Sequence, residues 1–133
     1  MKKLFGTLLL SAALLLGSCA ASNSPAVAEA NLKNAGYKVQ SMNQEEAKAS
    51  IIGVTWNVTV STAVFGTKDA GSIFLGFYCA NIDDATAFMT ENIRAMVTFA
   101  EKYAEGPKVG SNNNLAYVAS ADALQIVGLV AAI

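Results

Sequence analysis

The 133-residue sequence predicts an α+β domain. Three observations carry that expectation. Val54, Trp56, Val58, Val60, Thr62 and Val64 alternate strictly with Thr55, Asn57, Thr59, Ser61, Ala63 and Phe65, the period-two pattern of a half-buried strand rich in β-branched residues. Residues 85–103 gather their apolar side chains on one broad face at helical spacing, as a helix laid on a sheet does. Short clusters of Gly, Asn, Asp and Ser separate the periodic segments where turns are needed.

The elements follow in order. VAEANLKNAGY (27–37) offers Val27, Ala30, Leu32 and Ala35 as packing positions of a helix. Gly36 stops it, because glycine takes the left-handed backbone of a helix end without a Cβ clash. Tyr37 to Gln40 reads as a short strand, and Asn43 with Glu46 three residues on has the form of a capping box, so 43–50 is a short helix. The alternating run 54–65, the turn GTKDAG (66–71) and the returning run SIFLGFYCA (72–80) form a hairpin, with Ile73, Leu75, Phe77 and Cys79 on one face. Asp83 or Asp84 caps the long helix. Its apolar face is Ala85, Phe88, Met89, Ile93, Met96, Phe99, Ala100 and Tyr103, opposite Glu91, Arg94, Thr98, Glu101 and Lys102. Gly106-Pro107 ends that helix, KVGSNNN (108–114) is a loop, Leu115 to Ala119 is the last strand, and Ser120 caps a final helix packing Leu124 and Val127. Between the first and last helices the order is βαββαβ, which resembles that of ferredoxin-like folds. The resemblance implies a four-stranded antiparallel sheet with helices mainly on one face, plus extra N- and C-terminal helices.

The leader is the most specific motif. Lys2 and Lys3 precede a 13-residue apolar stretch, Leu4 to Leu16, broken only by Gly6, Thr7 and Ser11. This is the build of a secretory signal, and it falls short of the ~20 apolar residues that a membrane-spanning helix needs. The stretch ends in Leu16-Gly17-Ser18-Cys19, which closely resembles the lipobox of bacterial lipoproteins. The resemblance implies cleavage after Ser18, a diacylglyceryl group (palmitate-like chains) on the Cys19 thiol, and an extracytoplasmic home on the cell membrane or outer membrane. Ala20 after Cys19 resembles an outer-membrane sorting signal in a Gram-negative envelope. Two acyl chains, at roughly 0.8 kcal/mol per buried methylene, anchor stably where one is marginal. The expected organisation is a signal peptide over 1–18, a lipidated tether over 19–25 (AASNSP after the cysteine) and a single α+β domain over 26–133.

Without its leader the chain keeps seven basic and ten acidic residues, a net of −3, with no basic cluster. That argues against a nucleic-acid partner and against a second, electrostatic membrane contact. The chain has no histidine, which removes Ser-His-Asp and Cys-His nucleophiles, an imidazole base near neutral pH, and the commonest zinc ligand. No Ser-x-x-Lys pair and no phosphate-cradling glycine loop occurs. The sequence therefore offers no catalytic residue, no cofactor site and no metal site.

A few residues still invite attention. Cys79, left without a partner if Cys19 is lipidated, sits in an apolar run and reads as a small buried hydrophobe. The adjacent pairs Glu45-Glu46 and Asp83-Asp84 stand at helix starts, where carboxylates are stabilising, and Asp69 reads as a turn residue. Asn92 falls inside the apolar stripe of the long helix and needs a hydrogen-bonded partner, expected in a strand or loop backbone. The candidate binding or oligomer face is Phe65, Phe74 and Tyr78, expected on the side of the hairpin opposite Trp56 and Phe77. The terminal helices or a second copy of the protein would cover that face, or an envelope partner would occupy it. The expected function is a non-enzymatic binding or self-associating domain. The alternative is a small envelope enzyme or accessory subunit using its carboxylates or Cys79.

Overall fold

The computed structural model describes residues 24–129. The lipobox, the signal peptide and most of the tether lie outside the described residues. The order of elements is α1 (Pro25–Asn34), β1 (Lys38–Met42), α2 (Gln44–Ser50), β2 (Val60–Lys68), β3 (Ser72–Cys79), α3 (Ile82–Ala100), β4 (Lys108–Asn112), β5 (Leu115–Ala119) and α4 (Ala121–Ile126). The class is α+β, as the sequence predicts.

The sheet differs from the expected one. It has five strands in the order β1-β2-β3-β5-β4, and every neighbouring pair is antiparallel. A split βαβ unit sets the two strands joined by its helix parallel, with a third strand between them, whereas β1 and β2 are direct antiparallel neighbours, so the ferredoxin-like reading of the element order is replaced by a meander β1-β2-β3 extended by the β4-β5 hairpin. The additional strand is KVGSN, in a stretch whose composition predicts a loop. Asn113 closes its hairpin in the left-handed region, at φ 50, which Asn tolerates better than most residues. Gly110 lies flat under Tyr117, whose hydroxyl would stand 2.7 Å from a Cβ at that position.

Both faces of the sheet are covered. On one face α2 and α3 bury Met42, Ala63, Leu75, Phe77, Phe88 and Met96 in a core that includes Val60, Ile73 and Cys79. On the other, α1 and α4 bury Leu32, Val64, Phe74, Tyr78, Leu115 and Leu124. Helices therefore lie on both sides, where the βαββαβ reading placed them mainly on one.

Helix ends follow local chemistry. The capping box at α2 is complete: Asn43 Oδ1 accepts from Glu46 N at 2.9 Å, and Glu46 Oε1 accepts from Asn43 N at 2.8 Å. The cap of α3 is Asn81, accepting from Asp84 N at 2.8 Å, rather than Asp83 or Asp84, which occupy the first turn. Ser120 stands at the N-cap of α4 but turns its hydroxyl to β3, accepting from Ile73 N at 3.0 Å and donating to Ile73 O at 3.2 Å.

Candidate functional site

The three candidate aromatics do not form one open face. Phe74 and Tyr78 point to the α1/α4 side and are 0% and 1% exposed, sealed by the protein's own helices. Phe65 points to the other side, stacked edge-on against Phe99 and Tyr103 with centroids 5.4 Å away. The cause is a β-bulge. Val60 pairs with Cys79 but Thr62 pairs with Tyr78, so Ser61 is an extra residue in β2. With a side-chain period of two, one inserted residue moves everything after it to the opposite face. Val54, Trp56, Val58 and Val60 thus share a core with Ala63 and Phe65. Ser61 Oγ donates to the Tyr78 carbonyl at 3.0 Å across the interrupted ladder.

Cys79 is buried at 3% exposure, and desolvation, with the negative charge of Asp84 adding to it, pushes its thiol up to about 11. It stays protonated at neutral pH and unreactive as a nucleophile. Glu45 and Glu46 sit in the first turn of α2, Asp83 and Asp84 in that of α3, and Asp69 in the hairpin turn at φ 53. Among the described residues no three His, Cys, Asp or Glu side chains gather as a metal cluster.

Asn92 is the polar residue that the structure uses most heavily. It is 2% exposed and interrupts α3 with non-helical backbone at φ −115, ψ 15. Its Oδ1 accepts from Thr55 N at 2.7 Å, and its Nδ2 donates to Thr55 O at 2.9 Å and Phe88 O at 3.0 Å. The amide thus pairs with Thr55 as a neighbouring strand residue would. This explains why β2 starts at Val60 although the alternation begins at Val54. Residues 54–59 carry no regular secondary structure and bend at Val58, with Val54, Trp56 and Val58 half-buried, and they run against α3 rather than a strand. Trp56 packs on Phe77 and Phe88 at centroid distances of 6.0 and 5.6 Å. Asn57 Nδ2 donates to Ala87 O at 3.3 Å, and Val60 N donates to Gln44 Oε1 at 2.9 Å.

Pinned this way, the segment after α2 forms one wall of a half-open groove of about 370 Å³ whose other wall is α3. That volume is at the lower end of the ~300–1,000 Å³ of small-molecule sites. Ala95 and half-buried Phe99 supply apolar lining, as does Ile52, which at 79% exposure is the most open large hydrophobic among the described residues. Arg94, Thr98 and Lys102 supply the polar lining, with Glu91 at one end. Lys102 Nζ stands 5.6 Å over the Phe99 ring. Neither Arg94 nor Lys102 is in an ion pair among the described residues.

A second polar cluster, on the opposite layer, has a structural part. Tyr37 Oη donates to Asp122 Oδ2 at 2.6 Å, and Ser72 Oγ donates to the same oxygen at 2.9 Å. These bonds tie the entry of β1 and the start of β3 to α4. Burial alone would raise the Asp122 carboxyl, but the bonds from Tyr37, Ser120 and Ser72 outweigh it and hold the group below its usual range. Burial, then the bond to Asp122, pushes Tyr37 up to about 12.

No protein-family model, curated protein or solved structure matches the chain. Function is therefore argued from the site. Sequence reading placed Arg94, Thr98 and Lys102 on the polar side of α3, and their spacing of four was visible. The groove was not, because its second wall, Ser50 to Thr55, spans the predicted end of one helix and start of a strand, with nothing in it to show that it faces α3.

Proposed function

We propose that the chain is a non-enzymatic binding domain, lipid-anchored through Cys19 on the extracytoplasmic side of the cell membrane or outer membrane. The anchor rests on the Leu16-Gly17-Ser18-Cys19 motif behind a charged, apolar leader. The binding role rests on the groove between α3 and the 51–59 segment, above all on the wall that Asn92 holds in place. Recognition sites work best on surfaces whose support is ordered before the ligand arrives. Burial of Phe74 and Tyr78 moves the binding role away from the sheet face and withdraws the apolar surface on which self-association would rest. The buried, protonated Cys79 and the carboxylates dispersed at helix starts support a non-enzymatic role.

Two measurements test this reading. Labelled palmitate should enter the wild-type protein and send it to the membrane fraction, while Cys19→Ser should be unlabelled and soluble. Hydrogen exchange with and without an envelope extract of the source cell should show protection confined to residues 50–55 and 91–102. Unlabelled wild-type protein would remove the anchor, and exchange unchanged across both segments would remove the binding site.

A further inference from the structure

Resting on that reading, we infer that the groove takes a small anion with an apolar body, a single-chain carboxylate or phosphate amphiphile bound as a monomer. Arg94, Thr98 and Lys102 stand four residues apart. Arg94 and Thr98 are one turn apart on α3, about 6 Å along the axis at 1.5 Å rise per residue, and Lys102 follows in the turn just past the helix end at Ala100. All three side chains line the groove, and the Lys102 ammonium stands 5.6 Å over the Phe99 ring. An anionic head above Thr98 would take the Arg94 fork from one side, the Lys102 ammonium from the other, and the Thr98 hydroxyl from below.

The charge pattern favours an anion. The chain beyond the leader is acidic, with seven basic residues against ten acidic, yet the groove carries two cations to one acid. The acid, Glu91, precedes Arg94 by three residues across the non-helical break at Asn92 and stands well before Lys102 in the chain, so it opposes a head at its own end and leaves the Thr98 position open. The apolar body has its place beside the head. Ala95 and Phe99 each follow a polar lining residue by one position and so lie together on one side of Arg94 and Thr98, and Ile52 lines the groove from the opposite wall with most of its surface in solvent. An apolar tail would remove that surface from water, and a bare inorganic anion would not.

The experiment uses the chain without residues 1–18 and with Cys19→Ser. Both cores are built from residues within 24–129, so this chain keeps the fold. Trp56, the single tryptophan, follows Thr55 of the groove wall and packs its ring on Phe77 and Phe88, so its emission reports a shift of that wall on occupancy. Decanoate and decyl phosphate, below their micelle concentrations, should shift that emission and the amide resonances of 50–55 and 94–102. Decanol and inorganic phosphate should bind at least about tenfold more weakly, the worth of one charge-assisted contact. Arg94→Gln with Lys102→Gln should lose about tenfold or more for the two anions and leave decanol unchanged. Decanol binding as tightly as decanoate, an unaffected double variant, or binding only to anionic phospholipid vesicles would each overturn the inference. Protection of the groove by envelope extract without binding of either anionic probe would overturn the ligand class and leave the binding role standing; absence of both would remove the two together.

Discussion

Asn92→Ala should loosen the groove wall at a measurable cost. The substitution removes three hydrogen bonds, to Thr55 N, Thr55 O and Phe88 O, at 2.7, 2.9 and 3.0 Å. At about 1 kcal/mol net apiece the loss is about 3 kcal/mol. Two effects reduce it. Thr55 is at the surface, so its backbone groups regain water, and Ala is a better helix former than Asn by roughly 0.5 kcal/mol. The expected net destabilisation is about 2 kcal/mol, which for a domain of this size lowers Tm by roughly 8 °C. Urea unfolding followed by far-UV circular dichroism gives the free energy, and hydrogen exchange at the Thr55 amide gives the local effect. Trp56 emission should shift in the folded variant, because the segment carrying it is no longer tied to α3. Asn92→Asp separates the parts of the clamp: it keeps the acceptor for Thr55 N–H but sets a carboxylate against two carbonyls in a buried place. Its folded pKa must rise, so its stability is greatest at acidic pH and falls as pH rises through that value. A loss below about 0.5 kcal/mol with the Thr55 amide still protected would refute the clamp, since not even one net hydrogen bond would then be accounted for.

The remaining predictions test the two cores and the second cluster. Gly76→Ala places a methyl 2.8 Å from the Phe74 ring and 2.9 Å from Leu115 Cδ1, and this overpacking should cost about 1–3 kcal/mol in urea unfolding. Among the described residues Tyr78 Oη is buried without a hydrogen-bond partner, so Tyr78→Phe should match or exceed wild-type stability, by up to about 1 kcal/mol. In a Cys19→Ser background the Cys79 thiol, pushed up to about 11, should resist a thiol reagent at pH 7 until the protein is unfolded. Tyr37 is raised to about 12 from 10, so its contribution is complete below pH 10 and disappears as pH climbs through 12. Asp122 is lowered, so its contribution holds above its ordinary range and goes as pH falls through the folded value. Tyr37→Phe should remove the Tyr37 share of the alkaline loss, leaving that of the raised Cys79, Tyr78 and Tyr117, and move the Asp122 carboxyl upward in an NMR titration.

Much of the fold was legible because it is written in local terms. The capping box at Asn43 and Glu46, the stop at Gly36 and the shared face of Ile73, Leu75, Phe77 and Cys79 each depend on residues close in sequence. What was missed depends on distant partners. Alternation over 54–65 reports burial of one side, and nothing in it says whether the neighbour is a strand or the helix that carries Asn92. The bulge at Ser61 is invisible for the same reason, since an extra residue is defined only against Cys79 and Tyr78 across the ladder. KVGSN looks like loop because Gly, Ser and Asn are poor strand formers. It is an edge strand because Gly110 admits the Tyr117 ring and β5 supplies the pairing. The candidate aromatic face failed on these two points together: the bulge removed Phe65 from it, and α1 and α4 closed over Phe74 and Tyr78.

With both faces of the sheet covered, the layers have different tasks on the proposed anchoring. The lipid would sit at Cys19, five residues before Ser24, the cap of α1. On that anchoring five residues could reach at most about 18 Å, which would keep the start of α1 near the bilayer. The groove belongs to the α2/α3 layer, across the sheet from α1, and sheet and helix layers stack about 10 Å apart. On the proposed anchoring, the tether and the groove would therefore lie on opposite sides of the sheet, α1 on one and α3 with Arg94 and Lys102 on the other.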